Sequence, residues 1–107
     1  MLSTFAFIFA RGGSKGLPRK NLLPINGIPL IGHSINVAKQ VKEIDEIFLS
    51  TDSEEITQVA EGYGVKVINR PKELASDSAP EWLAWQHAIH EVEKIRGEFK
   101  TFISLPA

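Results

Sequence analysis

The sequence contains no cysteine, and this single absence excludes several kinds of functional site. A chain without thiols has no disulfide, no thiolate nucleophile and no zinc site built on thiolates. The absence is compatible with a reducing compartment, and we expect a cytoplasmic protein. No apolar stretch approaches the roughly 20 residues that a membrane-spanning helix needs, so we expect no membrane partner.

The sequence also lacks an excess of charge, since 12 Lys and Arg stand against 13 Asp and Glu, for a formal net charge of −1. The composition therefore predicts no basic surface for nucleic acid. The 107 residues, of which 43% are hydrophobic, fit one domain with a buried core. The apolar segment at the start has no basic region and no cleavage pattern, so it predicts a strand rather than a signal peptide.

Short apolar segments of strand length alternate with segments of helical periodicity. The predicted strands are Thr4–Ala10, Glu46–Ser50, Val65–Ile68 and Thr101–Leu105. The predicted helices run from Pro29 to about Val41, from Asp52 to Gly62 or Gly64, and from Ser78 to about Arg96. This alternation predicts an α/β fold, a three-layer sandwich with a mostly parallel sheet and helices on both faces. Because an apolar strand lies at the end of the sequence, we expect a part of a longer protein.

The helices have predicted faces and predicted starting residues. The positions predicted to share one face of the first helix are Leu30, Ser34, Val37, Ala38 and Val41, and those in the third are Trp82, Trp85, Ile89, Val92 and Arg96. Asp52 with Glu55, and Ser78 with Glu81, have the spacing of capping boxes, and Pro80 fits a first turn. The segments Arg11–Pro24 and Arg70–Ala79 are predicted to be irregular.

The chemistry of the chain is expected at one edge of the sheet, because ligands of such folds bind beyond the carboxyl ends of the strands. The loop Ala10–Asn21, with the sequence ARGGSKGLPRKN, follows the first strand. Its glycines let backbone N–H groups approach an anion, and its basic side chains can neutralise phosphate oxygens. The order of residues matches neither a P-loop nor a dinucleotide fingerprint. The alternative is a flexible surface loop whose charges are solvated.

Other residues that could carry chemistry have plainer interpretations. Asp52 could approach a metal or a ribose from the end of its strand, but we favour an N-cap. His87 and His90 lack the zincin order and a third ligand, so we expect no metal there. Trp82 and Trp85 share a helical face, which predicts core packing rather than base stacking.

Four segments in order resemble the CMP-sugar synthetases, the cytidylyltransferases that activate acidic sugars, and above all their acylneuraminate branch. The segments are Ala10–Asn21, Asn26–Ile35, Ser50–Asp52 and Arg70–Asp77. The resemblance implies a sheet of the nucleotide-diphospho-sugar transferase (Rossmann-like) type, apparently truncated. It further implies that residues 1–107 are the N-terminal nucleotide-binding part of one cytidylyltransferase domain.

The family reaction implied by the resemblance transfers CMP from CTP to a 2-keto sugar acid and releases pyrophosphate, with Mg²⁺ (or Mn²⁺) as the cofactor. The acceptor could be sialic acid, a related nonulosonic acid or another keto acid such as Kdo. The metal ligands are expected outside this chain, and a homodimer is expected at full length. Two alternatives stay open: a sugar nucleotidyltransferase that uses UTP or GTP, and a non-catalytic nucleotide-binding fragment.

The resemblance also implies which residues do the work. Arg11 and Lys20 are the expected catalytic residues, because they match phosphate-contacting residues of the family. The full set expected to bind the nucleotide is Ala10, Arg11, Gly12, Gly13, Ser14, Lys15, Gly16, Lys20, Asn21, Arg70, Asp77, Ser78, Ala79 and Glu81. Glu81 stands where family members often have a small hydroxyl residue. Such a transfer depends on positioning and charge neutralisation rather than on a protein nucleophile.

Overall fold

In the computed structural model, which describes residues 3–12, 20–76 and 79–106, strands and α-helices alternate as the sequence predicts. The strands are β1 (Thr4–Phe9), β2 (Pro24–Ile25), β3 (Ile28–Pro29), β4 (Glu46–Thr51), β5 (Lys66–Asn69) and β6 (Thr101–Pro106). The α-helices are α1 (Leu30–Lys39), α2 (Glu54–Gly62) and α3 (Glu81–Arg96), and short 3₁₀ helices span Lys20–Leu22 and Lys72–Leu74. None of the helices in the described ranges is long and apolar enough to cross a membrane.

Four of the strands form one parallel sheet in the order β5-β4-β1-β6. The predicted parallel α/β sheet is therefore confirmed. The remaining two strands, β2 and β3, form a small antiparallel hairpin inside the region predicted as loop and helix start. Asn26 and Gly27 make its turn with positive φ angles of 53° and 80°. Asn-Gly favours such two-residue turns, because both residues tolerate the left-handed region.

One face of the sheet is lined with phenylalanine and covered by α3. The ring centroid of Phe7 lies 5.4 Å from that of Phe48 and 4.9 Å from that of Phe102. The fully buried residues of α3 are Ala84, Ala88 and Val92. The small alanines let the helix approach a sheet whose own side chains fill the space.

The predicted stripe of α3 is therefore only partly right. Trp82 is 54% exposed, and the prediction that it packs in the core is wrong. Trp85 is partly buried and packs against Phe9 and Phe102. The prediction placed the large apolar residues of the helix against the sheet, whereas the residues that are buried there are mainly small ones.

Helices α1 and α2 cover the other face of the sheet, and their core residues pack against Ile8 and Leu49. The buried positions of α1 are Ile31, Gly32, Ile35 and Ala38. Val37 and Val41, which the sequence placed on the apolar face, are 61% and 40% exposed. Of the five predicted positions only Ala38 is buried, so the predicted face was rotated around the helix.

Both predicted capping boxes are wrong. Ser53, not Asp52, precedes α2 in an extended conformation, and its Oγ accepts a hydrogen bond from the Ile56 backbone N–H at 3.2 Å. The N-cap of α3 is Pro80 without a side-chain cap, while the predicted cap Ser78 lies outside the described residues. Glu81 is consequently the first residue of α3 rather than the third, and it cannot complete a capping box.

Candidate functional site

Three parallel strands end side by side at one edge of the sheet. The Ala10 backbone N–H donates to the Ser50 carbonyl at 3.0 Å, and the Arg70 backbone N–H donates to the Thr51 carbonyl at 2.8 Å. The chain segments that follow β1, β4 and β5 are thus joined by backbone hydrogen bonds. We call this edge the carboxyl rim and define it by Ala10–Gly12, Asp52–Ser53 and Arg70. The prediction that these loops lie together is confirmed.

At the carboxyl rim, the glycine-rich loop leaves β1 through a tightly held peptide group. The Gly12 backbone N–H donates to Oδ1 of Asp52 at 2.8 Å. The Arg11 carbonyl accepts from Nδ2 of Asn21 at 3.2 Å. Asn21 is buried, and its Oδ1 has no hydrogen-bond partner among the residues that the structure describes. Asp52 therefore bonds to the loop instead of capping α2, which corrects the N-cap interpretation.

Arg70 is the buried cation of the carboxyl rim, with only 8% of its surface exposed. Its Nε donates to Oγ of Ser50 at 3.2 Å, and a terminal nitrogen donates to the Ser50 carbonyl at 3.3 Å. Its Cζ lies 5.8 Å from the centroid of the Phe9 ring, within cation–π range. The guanidinium is thus fixed in one orientation by β4 below it and an aromatic ring beside it.

Among the described residues, three charged side chains, Arg11, Asp52 and Glu81, lie near Arg70. Burial lowers the pKa of Arg70, and the nearby charge of Arg11 lowers it further, whereas Asp52 and Glu81 raise it. An arginine stays protonated under all ordinary conditions, so the lowered pKa reports that its charge is short of solvent. The guanidinium groups of Arg11 and Arg70 can donate charge-assisted hydrogen bonds to phosphate oxygens, while Asp52 and Glu81 offset part of their positive charge.

The structure brings together some of the predicted nucleotide-binding residues. Ala10, Arg11, Gly12, Asn21 and Arg70 lie at or beside the carboxyl rim. The 3₁₀ helix that follows the loop begins at Lys20. Ala79 precedes α3, and its backbone N–H donates to the Ser76 carbonyl at 3.2 Å. Gly13, Ser14, Lys15, Gly16, Asp77 and Ser78 lie outside the described residues.

Sequence reasoning missed the contacts that Ser50 and Asp52 make at this site. Both residues belong to the Ser50–Asp52 segment, and Ser50 is fully buried. The available signal was a serine followed two positions later by an aspartate, at the carboxyl end of a predicted strand. The spacing of Asp52 and Glu55 favoured a capping box instead.

The described residues offer no ready metal centre. Within residues 3–12, 20–76 and 79–106, no group of three His, Asp or Glu side chains is arranged to hold a metal ion. Asp52, the carboxylate at the loop, is already bonded to a backbone N–H. Mg²⁺ can bind through one or two carboxylates together with phosphate oxygens, so the cofactor stays a prediction.

Gly12 lies where the carboxyl rim leaves no room for a side chain. A Cβ on Gly12 would come within 2.8 Å of the Ser53 Cβ, which cannot rotate away. We expect Gly12→Ala to push the loop off Asp52 and to lower the free energy of unfolding by roughly 1–3 kcal/mol. Urea denaturation measures the change. Gly62→Ala is the matched control, since a Cβ there meets nothing within 4 Å; equal stability losses in the two variants would contradict the close contact.

Comparison with known proteins shows which family this chain is similar to. Residues 5–98 match the family model described as Cytidylyltransferase. The chain is 43% identical over 74 residues to an N-acylneuraminate cytidylyltransferase of Oncorhynchus mykiss, covering 69% of this chain and 17% of that protein. It is 46% identical over 89 residues to a pseudaminic acid cytidylyltransferase of Campylobacter jejuni, covering 82% of this chain and 38% of that protein.

A solved structure agrees with this similarity. It is a CMP:2-keto-3-deoxy-manno-octonic acid synthetase complexed with CTP, superimposed with a TM-score of 0.78 at 29% identity. The superposition covers 97% of this chain and 39% of that protein. The chain thus spans less than half the length of each of these three relatives.

Proposed function

Because the chain belongs to the cytidylyltransferase family, we propose that it binds CTP at the carboxyl rim for transfer of CMP to an acidic 2-keto sugar. The observation that carries this proposal is the buried, oriented guanidinium of Arg70 beside Arg11 at the start of the glycine-rich loop. Cations fixed in a site that is short of water stabilise phosphate charge more strongly than solvated ones.

In the proposed reaction a hydroxyl oxygen of the sugar bonds to the α-phosphorus of CTP. The bond from that phosphorus to the bridging oxygen breaks, pyrophosphate leaves, and the hydroxyl proton passes to solvent. Arg11 and Arg70 would counter the charge of the phosphates, and Asp52 and Asn21 would hold the loop. Mg²⁺, if required, would supply further neutralisation on the phosphates.

The acceptor is proposed only as a class. The three relatives are named for N-acylneuraminate, pseudaminic acid and 2-keto-3-deoxy-manno-octonic acid, so their names point to acidic sugars without selecting one. The predicted homodimer, the cytoplasmic location and the Mg²⁺ requirement remain predictions. So does the assignment of residues 1–107 to the N-terminal part of a domain.

Nucleotide binding and pyrophosphate release test the proposal together. We expect titration calorimetry to show tighter binding of CTP than of UTP or GTP. We also expect CTP-dependent pyrophosphate release with sialic acid or Kdo, lost when EDTA removes the metal. A preference for UTP or GTP would contradict the assignment of CTP. Tight CTP binding without turnover on any acidic sugar would instead favour the non-catalytic alternative.

A further inference from the structure

A single peptide group at the entrance of the glycine-rich loop is held at both ends by side chains from elsewhere in the fold. The carbonyl of Arg11 and the N–H of Gly12 belong to the same planar unit and point in opposite directions. Asn21 donates to the carbonyl at 3.2 Å, and Asp52 accepts from the N–H at 2.8 Å. We call this arrangement the peptide clamp. It fixes the plane from which the Arg11 side chain and the loop both depart.

We propose that Asp52 is a positioning residue for CTP, acting through the peptide clamp on Arg11. The proposal rests on the proposed function at the carboxyl rim. A planar peptide held at one end can still swing about the other. With both ends held, and with the Ala10 N–H bonded to Ser50 just before, the direction of the chain is determined. A ligand then meets Arg11 and Gly12 in a fixed arrangement, which lowers the entropy lost on binding.

Asp52 does not have the helix-capping role that usually explains an aspartate just before a helix. The N-cap position of α2 belongs to Ser53, whose Oγ bonds to Ile56, so the helix does not need the Asp52 carboxylate. The Gly12 N–H, being engaged by Asp52, is in turn not available to a phosphate. The bond is charge-assisted, because its acceptor is an ionised carboxylate, and such bonds are stronger than neutral ones.

Asp52 also carries a negative charge close to Arg70, so its geometric role must be separated from its electrostatic role. Asp52→Asn keeps an oxygen that can accept from Gly12 and removes the charge. Asp52→Ala removes both. If Asp52 acts through the peptide clamp, Asp52→Asn should keep the CTP affinity of wild type and Asp52→Ala should lower it. If Asp52 acts through its charge, both variants should change the CTP affinity alike.

The fold supplies a matched control at the opposite end of β1. Oδ2 of Asp45 accepts from the Thr4 backbone N–H at 2.8 Å, the same kind of bond at the same distance. Asp45→Ala therefore loses an equivalent carboxylate contact to the first strand. It lies at the amino end of the sheet, away from the carboxyl rim, so it reports the effect of such a loss on stability alone.

The experiment measures the Kd for CTP by calorimetry and the exchange of the Gly12 amide hydrogen by NMR. We expect Asp52→Ala to raise Kd by roughly tenfold to hundredfold, the effect of a misplaced binding group. We expect Asp52→Asn to stay within about threefold of wild type, since its amide oxygen keeps the hydrogen bond. Asp45→Ala should leave Kd unchanged. Gly12 exchange should be slow in wild type and in Asp52→Asn, and fast in Asp52→Ala.

Each contrary outcome identifies what has failed. Wild-type Kd in Asp52→Ala, or equal loss in the asparagine and alanine variants, would overturn the positioning role. Fast Gly12 exchange in the wild-type chain would also overturn it, whether or not CTP binds. A wild-type chain that protects Gly12 but binds no CTP would overturn the proposed function and, with it, the role assigned to the peptide clamp.

Discussion

Replacing Arg11 with alanine is expected to lower kcat/KM for CTP by roughly 10²- to 10³-fold, the usual cost of losing one preorganised charge-stabilising donor. Arg11 lies at the carboxyl rim with its carbonyl held by Asn21, and its charge reaches Arg70. In the proposed function, its guanidinium would counter the charge that develops on the phosphates during transfer. Lys20→Ala is expected to act in the same direction. Pyrophosphate release at varied CTP measures both.

A control for Arg11 uses Arg96, the last residue of α3, which has no place at the carboxyl rim. Nε of Arg96 donates to both carboxylate oxygens of Glu46, at 2.9 and 2.8 Å, near the amino end of β4. Arg96→Ala removes one positive charge from the chain without touching the site, so kcat/KM should remain that of wild type. Rates near wild type for both Arg11→Ala and Lys20→Ala would remove these residues from the catalytic assignment.

Replacing Arg70 with alanine is expected to weaken both the fold and CTP binding. The change empties a buried site and removes the Arg70 donor from Oγ of Ser50 and from the Leu74 carbonyl, whereas the Ser50 carbonyl keeps its hydrogen bond from the Ala10 N–H. Unpaired buried groups and a cavity together lower the free energy of unfolding by roughly 2–4 kcal/mol, although relief from burying a charge offsets part of this. Loss of the oriented cation should raise the Kd for CTP at least tenfold. This corresponds to a loss of roughly 1.4 kcal/mol or more of binding free energy. Urea denaturation and calorimetry measure the two effects.

Arg70→Lys separates charge from geometry at this position. Lysine keeps the positive charge but lacks the planar fork that bonds Ser50 and lies near the Phe9 ring. We expect it to recover less than half of the lost affinity. Full recovery would mean that any cation suffices there. An unchanged Kd in Arg70→Ala, at a concentration of urea where the variant is folded, would show that Arg70 only supports the structure.

The sequence was sufficient for the order of the four parallel strands and the three α-helices, but not for the β2–β3 hairpin. Thr4–Phe9 is buried along almost all its length, so apolar continuity marks this strand. The faces of the helices were harder to predict. Buried Ala84 and Ala88 carry little hydrophobic signal, whereas exposed Trp82 carries much. Which residues face the core depends on how much space the phenylalanines of the sheet leave, and this is a tertiary property.

At the candidate site, the sequence was informative where a pattern of residues has a single interpretation. It was misleading where two neighbouring residues could play the same structural role. A glycine-rich basic loop after the first strand predicts phosphate binding from its own residues, without information about the rest of the fold. Asp52 and Ser53 are both good helix caps, and spacing alone favoured Asp52. The structure assigns the cap to Ser53 because Asp52 is bonded to Gly12, a contact between residues 40 apart in sequence. Local patterns contain no information about such a partner.

The position of β1 in the sheet has a consequence for biosynthesis. β1 is translated before the other described strands, yet it pairs with β6, the last of them, through contacts such as Thr4 with Thr101. One edge of the phenylalanine-rich strand therefore has no pairing partner until almost all of the described chain has been translated. Such long-range parallel pairing folds slowly and exposes apolar strand edges to other chains meanwhile. Nascent chains should therefore be most prone to aggregate, and most dependent on chaperones, in the interval between synthesis of α3 and synthesis of β6.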